Sequence, residues 1–345
     1  MALITTVLLA VGLVLFPSDI ADASRNALTL CFSVVIPSLF PFFVLSSLTT
    51  ESGIGHKISL FLAPMMRRVF RIGSNGATAL LLGILGGYPV GANCIKNLYI
   101  AQDCTKKEAE HLLGFCNNSG PSFILGAVGI GVFGNMKIGA FLLAVHILSA
   151  LTVGVFFSFF APKASKTPLQ RQQVLPFSSA LCSSVKSGLH SSLNVCAFVL
   201  FFAVLTEILH LFSILPYGGI LGVLCGGLFE ITSGIAALQS TVSSLPTAFI
   251  LAAFLLGFGG LSVHAQTLSI LNETDLSPKK YFLGKCLHAV ISTIYAAITS
   301  HFLLQTQTVF APVSTQTNLP GLCVLFISLL SFLMLLLFSE KKTGK

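Results

Sequence analysis

The sequence predicts an all-α polytopic membrane protein built as two inverted-topology repeats, with broken helices and two re-entrant hairpins. Three observations carry that expectation. The 345 residues are 54% hydrophobic and only 9% charged, with a mean hydropathy of +0.91. Soluble domains carry roughly 25% charged residues, so few charges cannot cover a water-soluble surface. Second, apolar runs are interrupted by Gly, Pro, Asn and Ser, polar breaks that a bilayer tolerates only where they line a cavity or are buried in protein. Third, the broken segments recur: Leu112-Leu113-Gly114-Phe115 returns as Leu255-Leu256-Gly257-Phe258, 143 positions on. The same offset pairs Ser119 with Ser262, Gly91 with Gly234 and Leu85 with Leu228. One register shared by separate segments is the mark of an internal repeat.

Taken in order, residues 1–26 form an N-terminal helix and loop. The stretch 3–16 is apolar, lacks a basic n-region and a small-x-small cleavage site, and is expected to stay as a helix. The first membrane repeat covers 27–160. It opens with a span at about 27–48 that contains Pro37 and Pro41 and is expected to kink. Residues 56–71 place Leu60, Phe61, Met65 and Phe70 beside Arg67, Arg68 and Arg71, the pattern of a helix lying in the interface. A span at 75–100 is broken at Gly86-Gly87-Tyr88-Pro89-Val90-Gly91. A short charged loop, 103–110, precedes the apolar stretch 112–133, which is broken at Asn117–Pro121. A span at 138–160 closes the repeat. Residues 161–176, with Lys163, Lys166 and Arg171, read as a cytosolic linker. The second repeat, 177–304, offers spans at 191–214 and 218–238, a stretch at 248–271 broken at Gly257-Phe258-Gly259-Gly260, and a span at 282–304 after Lys279 and Lys280. Residues 305–345 supply an uncharged loop, a last span at 322–338 and a basic tail.

Charge gives the sense of the repeats. The linker and the C-terminal lysines are expected in the cytosol. Taking 112–133 and 248–271 as the re-entrant hairpins gives two repeats of opposite topology, as in many secondary transporters. It puts Arg67, Arg68 and Arg71 in the cytosol but leaves Lys106, Lys107 and Lys137 outside. Lys96 is expected to snorkel to the far interface. The formal net charge of +8 is too scattered for nucleic acid and suits an anionic lipid surface. The nine cysteines form no C-x-x-C pair and no zinc-spaced cluster with His; they read as small packing residues. No metal and no cofactor is expected.

Four breaks are expected to converge on a solute site. A discontinuous helix exposes N–H groups at one half-helix start and carbonyls at the other half's end, attracting anions and cations respectively. The candidate substrate contacts are Tyr88, Asn117, Asn118 and Ser119 from the first repeat, and Thr232, Ser233, Ser262, His264 and Gln266 from the second. Glu230 is the one carboxylate deep in an expected span and the candidate coupling or substrate group. Each has a plainer reading: the Asn and Ser residues can satisfy their own broken backbone, Tyr88-Pro89 can be a kink, and Glu230 a partner of a polar neighbour. His146, His210, His288 and His301 read as packing or interfacial, and Glu207 as interfacial. There is no G-x-x-x-x-G-K-[ST], no H-E-x-x-H and no G-x-S-x-G. The chain is therefore expected to be no enzyme and to transport, if it transports, by a secondary or facilitated route. A homo-oligomer is compatible with the sequence.

Four motifs carry a family resemblance: Ile36-Pro37-Ser38-Leu39-Phe40-Pro41-Phe42-Phe43, Gly87-Tyr88-Pro89-Val90-Gly91-Ala92, Asn117-x-Ser119-x-Pro121-x-Phe123 and Gly260-Leu261-Ser262-Val263-x-Ala265-Gln266. Together, over about residues 25–305, they resemble the sporulation integral membrane protein YlbJ (SpoVV) family of the nucleoside-recognition, or Gate-domain, group. The resemblance implies a cell-membrane protein, in the outer forespore membrane, that moves dipicolinic acid, a planar dianion, from mother cell toward forespore. A Gate-type nucleoside or cation transporter, or a sporulation membrane scaffold without a solute, stays open as the alternative. The resemblance assigns no role to any individual residue.

Overall fold

The computed structural model describes residues 2–161, 175–216 and 218–303. The expected last span at 322–338 and the interior of the linker lie outside the described residues. Every regular element described is helical. In chain order they are α1 (Ala2–Leu15), α2 (Pro17–Glu51), α3 (Ile54–Met65, running on through Phe70), α4 (Gly76–Leu85), α5 (Val90–Ile100), α6 (Lys106–Cys116), α7 (Phe123–Val132), α8 (Met136–Ser158), α9 (Phe177–Leu211), α10 (Gly219–Phe229), α11 (Ile231–Thr241), α12 (Leu245–Phe258), α13 (Gly260–Leu271) and α14 (Lys279–Leu303).

The two repeats are legible in the element order. Each starts with a 35-residue helix, α2 or α9, continues into two broken units (after the additional α3 in the first repeat), and ends on a long helix, α8 or α14. The 143-residue offset carries the first residues of α4 and α8, Gly76 and Met136, onto the first residues of α10 and α14, Gly219 and Lys279. Among the described residues, five stretches are long and apolar enough to cross a membrane: Pro17–Glu51, Met136–Ser158, Phe177–Leu211, Leu245–Leu271 and Lys279–His301.

The structure exchanges the roles assigned to the broken units. α4 packs along α5, and α10 along α11, so these pairs are the re-entrant hairpins. The ends of the first hairpin meet: Asn75 Nδ2 donates to the Asp103 carbonyl (2.9 Å) and the Gly73 N–H to Glu108 Oε1 (2.8 Å). In the second, a Cβ built on Gly234 would stand 2.1 Å from Gly227 Cα, so two glycines let the arms touch backbone to backbone. The units α6–α7 and α12–α13 instead run on as discontinuous spans, their halves not packing along one another. The sequence cannot separate the two cases by apolar content alone. Nor does length separate them, since α6 and α7 are as short as the hairpin arms; what decides is whether the two halves pack on each other, and arms of 10 or 11 residues, about 15 Å, that do so turn back near mid-bilayer.

This exchange keeps the repeats inverted and resolves the charge conflict at Lys106 and Lys107. The loop after α5 meets the loop after α13: Lys96 pairs with Glu273 (2.9 Å), Lys106 with Asp275 (2.8 Å), and the Tyr99 hydroxyl donates to Asp275 (2.6 Å). Arg71 donates to the carbonyl of Ala161 (3.5 Å), and the Leu175 N–H to that of Glu51 (3.1 Å), so both ends of the linker lie on this face. Lys106, Lys107, Arg71, Lys279 and Lys280 therefore share one face, the face that the positive-inside rule would turn toward the cytosol. Lys96 returns to that face rather than reaching the far one. Lys137 remains opposite.

Local chemistry sets the breaks. α6 begins at a capping box in which Thr105 and Glu108 bond reciprocally, so the expected charged loop is its first turn. It ends where Asn117 turns extended (φ −102°, ψ 93°), with Pro121 ahead. α12 ends at Gly259 (φ +95°) and α13 starts at Gly260 (φ +76°); two consecutive left-handed residues stop a helix and only glycine adopts them readily. α2 widens to an i→i+5 pattern over Cys31–Val35, with the Ile36 N–H on the Cys31 carbonyl, just before Pro37 removes a donor. Outward on α14 stand Leu283, Val290, Ile294 and Ile298, large apolar side chains exposed to lipid. Its inner stripe is polar: Tyr281, Lys285, His288 and Ser292 are buried.

Candidate functional site

The four breaks meet at one cleft. Tyr88 comes from the tip of hairpin α4–α5, and Glu230, Ile231 and Thr232 from the tip of hairpin α10–α11. Ser119, Gly120 and Phe123 come from the α6–α7 break, and Ser262, Val263 and Gln266 from the start of α13. Val35 and Leu39 of α2 and Val195 and Val199 of α9 close it with apolar walls. The cleft is partly open to its surroundings, and its cavity volume is about 50 Å³.

Six of the ten candidate residues line this cleft: Tyr88, Ser119, Glu230, Thr232, Ser262 and Gln266. Ser119 Oγ, Ser262 Oγ, Glu230 Oε1 and Gln266 Oε1 are buried and make no hydrogen bond among the described residues. Buried polar atoms are normally satisfied, and four such atoms at one cleft make it the candidate site for a polar ligand. Glu230 is half committed. Its Oε2 accepts from the Ser233 N–H (2.7 Å), capping α11, where the helix dipole favours a carboxylate; Oε1 remains for a solute.

The other four stand off the cleft, for identifiable reasons. Asn117 is a staple: Nδ2 donates to Thr267 Oγ1 (2.9 Å) and Oδ1 accepts from the Ala92 N–H (3.2 Å), tying both broken units of the first repeat to α13. Asn118 Nδ2 donates to the Phe115 carbonyl (2.8 Å), satisfying the end of α6. Ser233 contributes its backbone to Glu230. His264 faces away: at 100° per residue it lies about 200° from Ser262 around α13, while Gln266 returns to within about 40°. His264 sits instead among Phe258, Tyr281 and Phe282, with Nδ1 2.8 Å from Tyr281 Oη.

Behind Tyr88 lies a polar centre that the sequence reading omitted. Lys285 of α14, 1% exposed, donates through Nζ to Tyr88 Oη (2.8 Å) and to the Asn117 carbonyl (3.0 Å), and lies 3.5 Å from His288 Nδ1. His288 Nε2 is 3.0 Å from the His146 carbonyl. A carbonyl only accepts, so Nε2 carries the proton and Nδ1 presents a lone pair to Lys285. His146 Nε2 in turn accepts from the Ser119 N–H (3.1 Å). His146 and His288, read from the sequence as packing or interfacial, thus connect α8 and α14 to the α6–α7 break. The close approach that lets Lys285 reach Asn117 is glycine on glycine: a Cβ on Gly284 would stand 2.0 Å from the Gly114 carbonyl. The signal was present in the sequence as Tyr281, Lys285, His288 and Ser292 at spacings of four, three and four, one helix face.

Inverted repeats, paired hairpins and broken spans closing on one polar cleft define a transporter-like membrane protein. Comparison with known proteins makes this specific. Residues 32–163, from α2 to just past α8, match the Gate family, described as nucleoside recognition. Over 321 residues, 82% of this chain and 78% of the relative, the sequence is 32% identical to the sporulation integral membrane protein YlbJ of Bacillus subtilis (strain 168). The chain belongs to that sporulation integral membrane protein family. Its fold is similar to that of the concentrative nucleoside transporter CNTnw, solved as a double variant in an outward-facing state. The TM-score is 0.54, at 14% identity over 87% of this chain and 84% of that one.

Proposed function

We propose that this chain is a secondary transporter, not an enzyme, and that it moves a small planar dianion, dipicolinate, from mother cell toward forespore across the outer forespore membrane. The observation that carries the reading is the pairing of two helix starts across one cleft. α7 and α13 each begin at a break beside an unpartnered serine hydroxyl, Ser119 and Ser262, and each helix start presents N–H groups without partners inside the helix. A planar dianion offers one carboxylate to each start, with its ring between Phe123 and the valines of α9. Membership of a sporulation family supports the biological setting. Glu230 is then the proton-binding or orienting group, since a bare carboxylate beside a dianion is favourable only when protonated or turned away.

A second reading has its own support. Glu230 Oε1 and Gln266 Oε1 are unpartnered acceptors, suited to hydroxyl and amino groups, and the fold resembles that of a nucleoside transporter. Equilibrium binding to the purified protein separates the two. Saturable binding of labelled dipicolinate that uridine and adenosine do not displace supports the first. Saturable nucleoside binding that dipicolinate does not displace refutes it. Binding of neither supports a scaffold role.

A further inference from the structure

Lys285 has no acidic partner. No carboxylate forms an ion pair or a hydrogen bond with its ammonium among the described residues. The groups around it include no carboxylate: Tyr88 from the first hairpin, the Asn117 carbonyl from the α6 end and His288 of α14, with the His146 carbonyl of α8 behind His288. Three are direct acceptors: a phenol oxygen, a peptide oxygen and a ring nitrogen. The Tyr88 ring adds its face, 4.9 Å from Nζ. This is the environment of a coordinated cation rather than of a salt bridge. It also stands at a particular place. The carbonyl end of a discontinuous helix carries partial negative charge, and broken-helix transporters bind their coupling cation at such ends.

We infer that Lys285 is a built-in cation. Its ammonium occupies the cation position between the tip of hairpin α4–α5 and the α6–α7 break, so the site assembles without Na⁺. The same contacts lock three elements together, because Nζ bridges α14 to the hairpin through Tyr88 and to the broken span through Asn117. A metal ion added there would meet oxygens already taken and a positive charge a few ångströms away. The lysine therefore substitutes for the ion and excludes it. This deepens the transporter reading and rests on it for its functional meaning.

The test reads thermal unfolding of the purified full-length protein in matched NaCl and choline chloride. The wild type is expected to unfold at the same temperature in both. Lys285→Ala empties the position and is expected to be less stable in choline. Na⁺ at about tenfold its Kd should then raise the variant's unfolding temperature by roughly 2 °C. Lys285→Ser, which keeps a small polar group in the space, should behave alike and serves if the alanine variant does not fold. A Na⁺-specific rise in the wild type overturns the inference, and so does a folded variant indifferent to Na⁺. Binding of labelled dipicolinate is measured in the same two salts. Its absence from the wild type in both removes the dipicolinate reading and leaves the unfolding result on Lys285 standing.

Discussion

Replacing Gly234 by Ala tests the reassigned hairpin. In the α10–α11 hairpin the new Cβ falls 2.1 Å from Gly227 Cα and 2.5 Å from Gly227 N. Carbon atoms in contact sit about 3.5–4.0 Å apart, so the arms must separate by roughly 1.5 Å. Both obstacles are backbone and neither can rotate aside. Overpacking of this kind costs about 1–3 kcal/mol, which for a chain of this size lowers the unfolding temperature by roughly 1–4 °C. Gly226→Ala is the internal control: it lies in α10 next to Gly227, in the opposite arm of the same hairpin, and its Cβ meets nothing within 4 Å. The assay is thermal unfolding of both variants against wild type, with cleft-ligand binding as a second reading. If α10 and α11 formed one continuous span, Gly227 and Gly234 would lie about 10 Å apart along it, and both variants would unfold alike. Equal unfolding temperatures for Gly234→Ala and Gly226→Ala refute the hairpin.

Three further outcomes follow. Single cysteines at Lys107, Asp275 and Ala161 should label from the same side of the membrane, and one at Lys137 from the other; opposite labelling of Lys107 and Ala161 would restore the earlier hairpin assignment. Ser262→Ala should weaken binding of the cleft ligand about tenfold, the worth of one hydrogen bond to a charged group, with unfolding temperature unchanged; unaltered affinity would place the solute elsewhere. The Lys106 ammonium, then the Tyr99 hydroxyl, hold the exposed Asp275 carboxyl below the usual carboxylate range. A depressed carboxyl stabilises above its unfolded value and loses that contribution as pH falls through the folded one. The small stability difference between wild type and Asp275→Asn should therefore be present at pH 7 and vanish well below about pH 4; a difference that persists or grows in acid contradicts the contact.

Much of this architecture was legible in the chain. The composition fixed the solvent, and the 143-residue register found the repeats because Ser119/Ser262 and Gly91/Gly234 fall at or just after corresponding breaks. The breaks were legible for a chemical reason: Gly259-Gly260 and Asn117–Pro121 cannot continue a helix. What could not be read was the direction of the chain after each break. A hairpin and a discontinuous span share the same apolar halves, and the difference lies in whether the halves find each other, as Gly227 and Gly234 do. Lys106 and Lys107 did carry the information, as charges on the wrong side of the first assignment. In the site, the residues at the tips were visible as polar groups at membrane depth. Sequence spacing could have put His264 on the face opposite Ser262 and collected Tyr281, Lys285 and His288 onto one stripe. That Asn117 would spend both side-chain polar atoms on Thr267 and Ala92 depends on tertiary contacts 150 and 25 residues away, beyond any local pattern.

The central claim, that the cleft between the four breaks carries a small anion across the membrane, is tested most directly by uptake of labelled dipicolinate into proteoliposomes containing the full-length protein. Saturable uptake by the wild type, strongly reduced in Ser262→Ala and Glu230→Gln while both variants remain folded, is the predicted result. Uptake no greater than in protein-free liposomes, with or without a proton gradient, or uptake that the two variants leave unchanged, would contradict it.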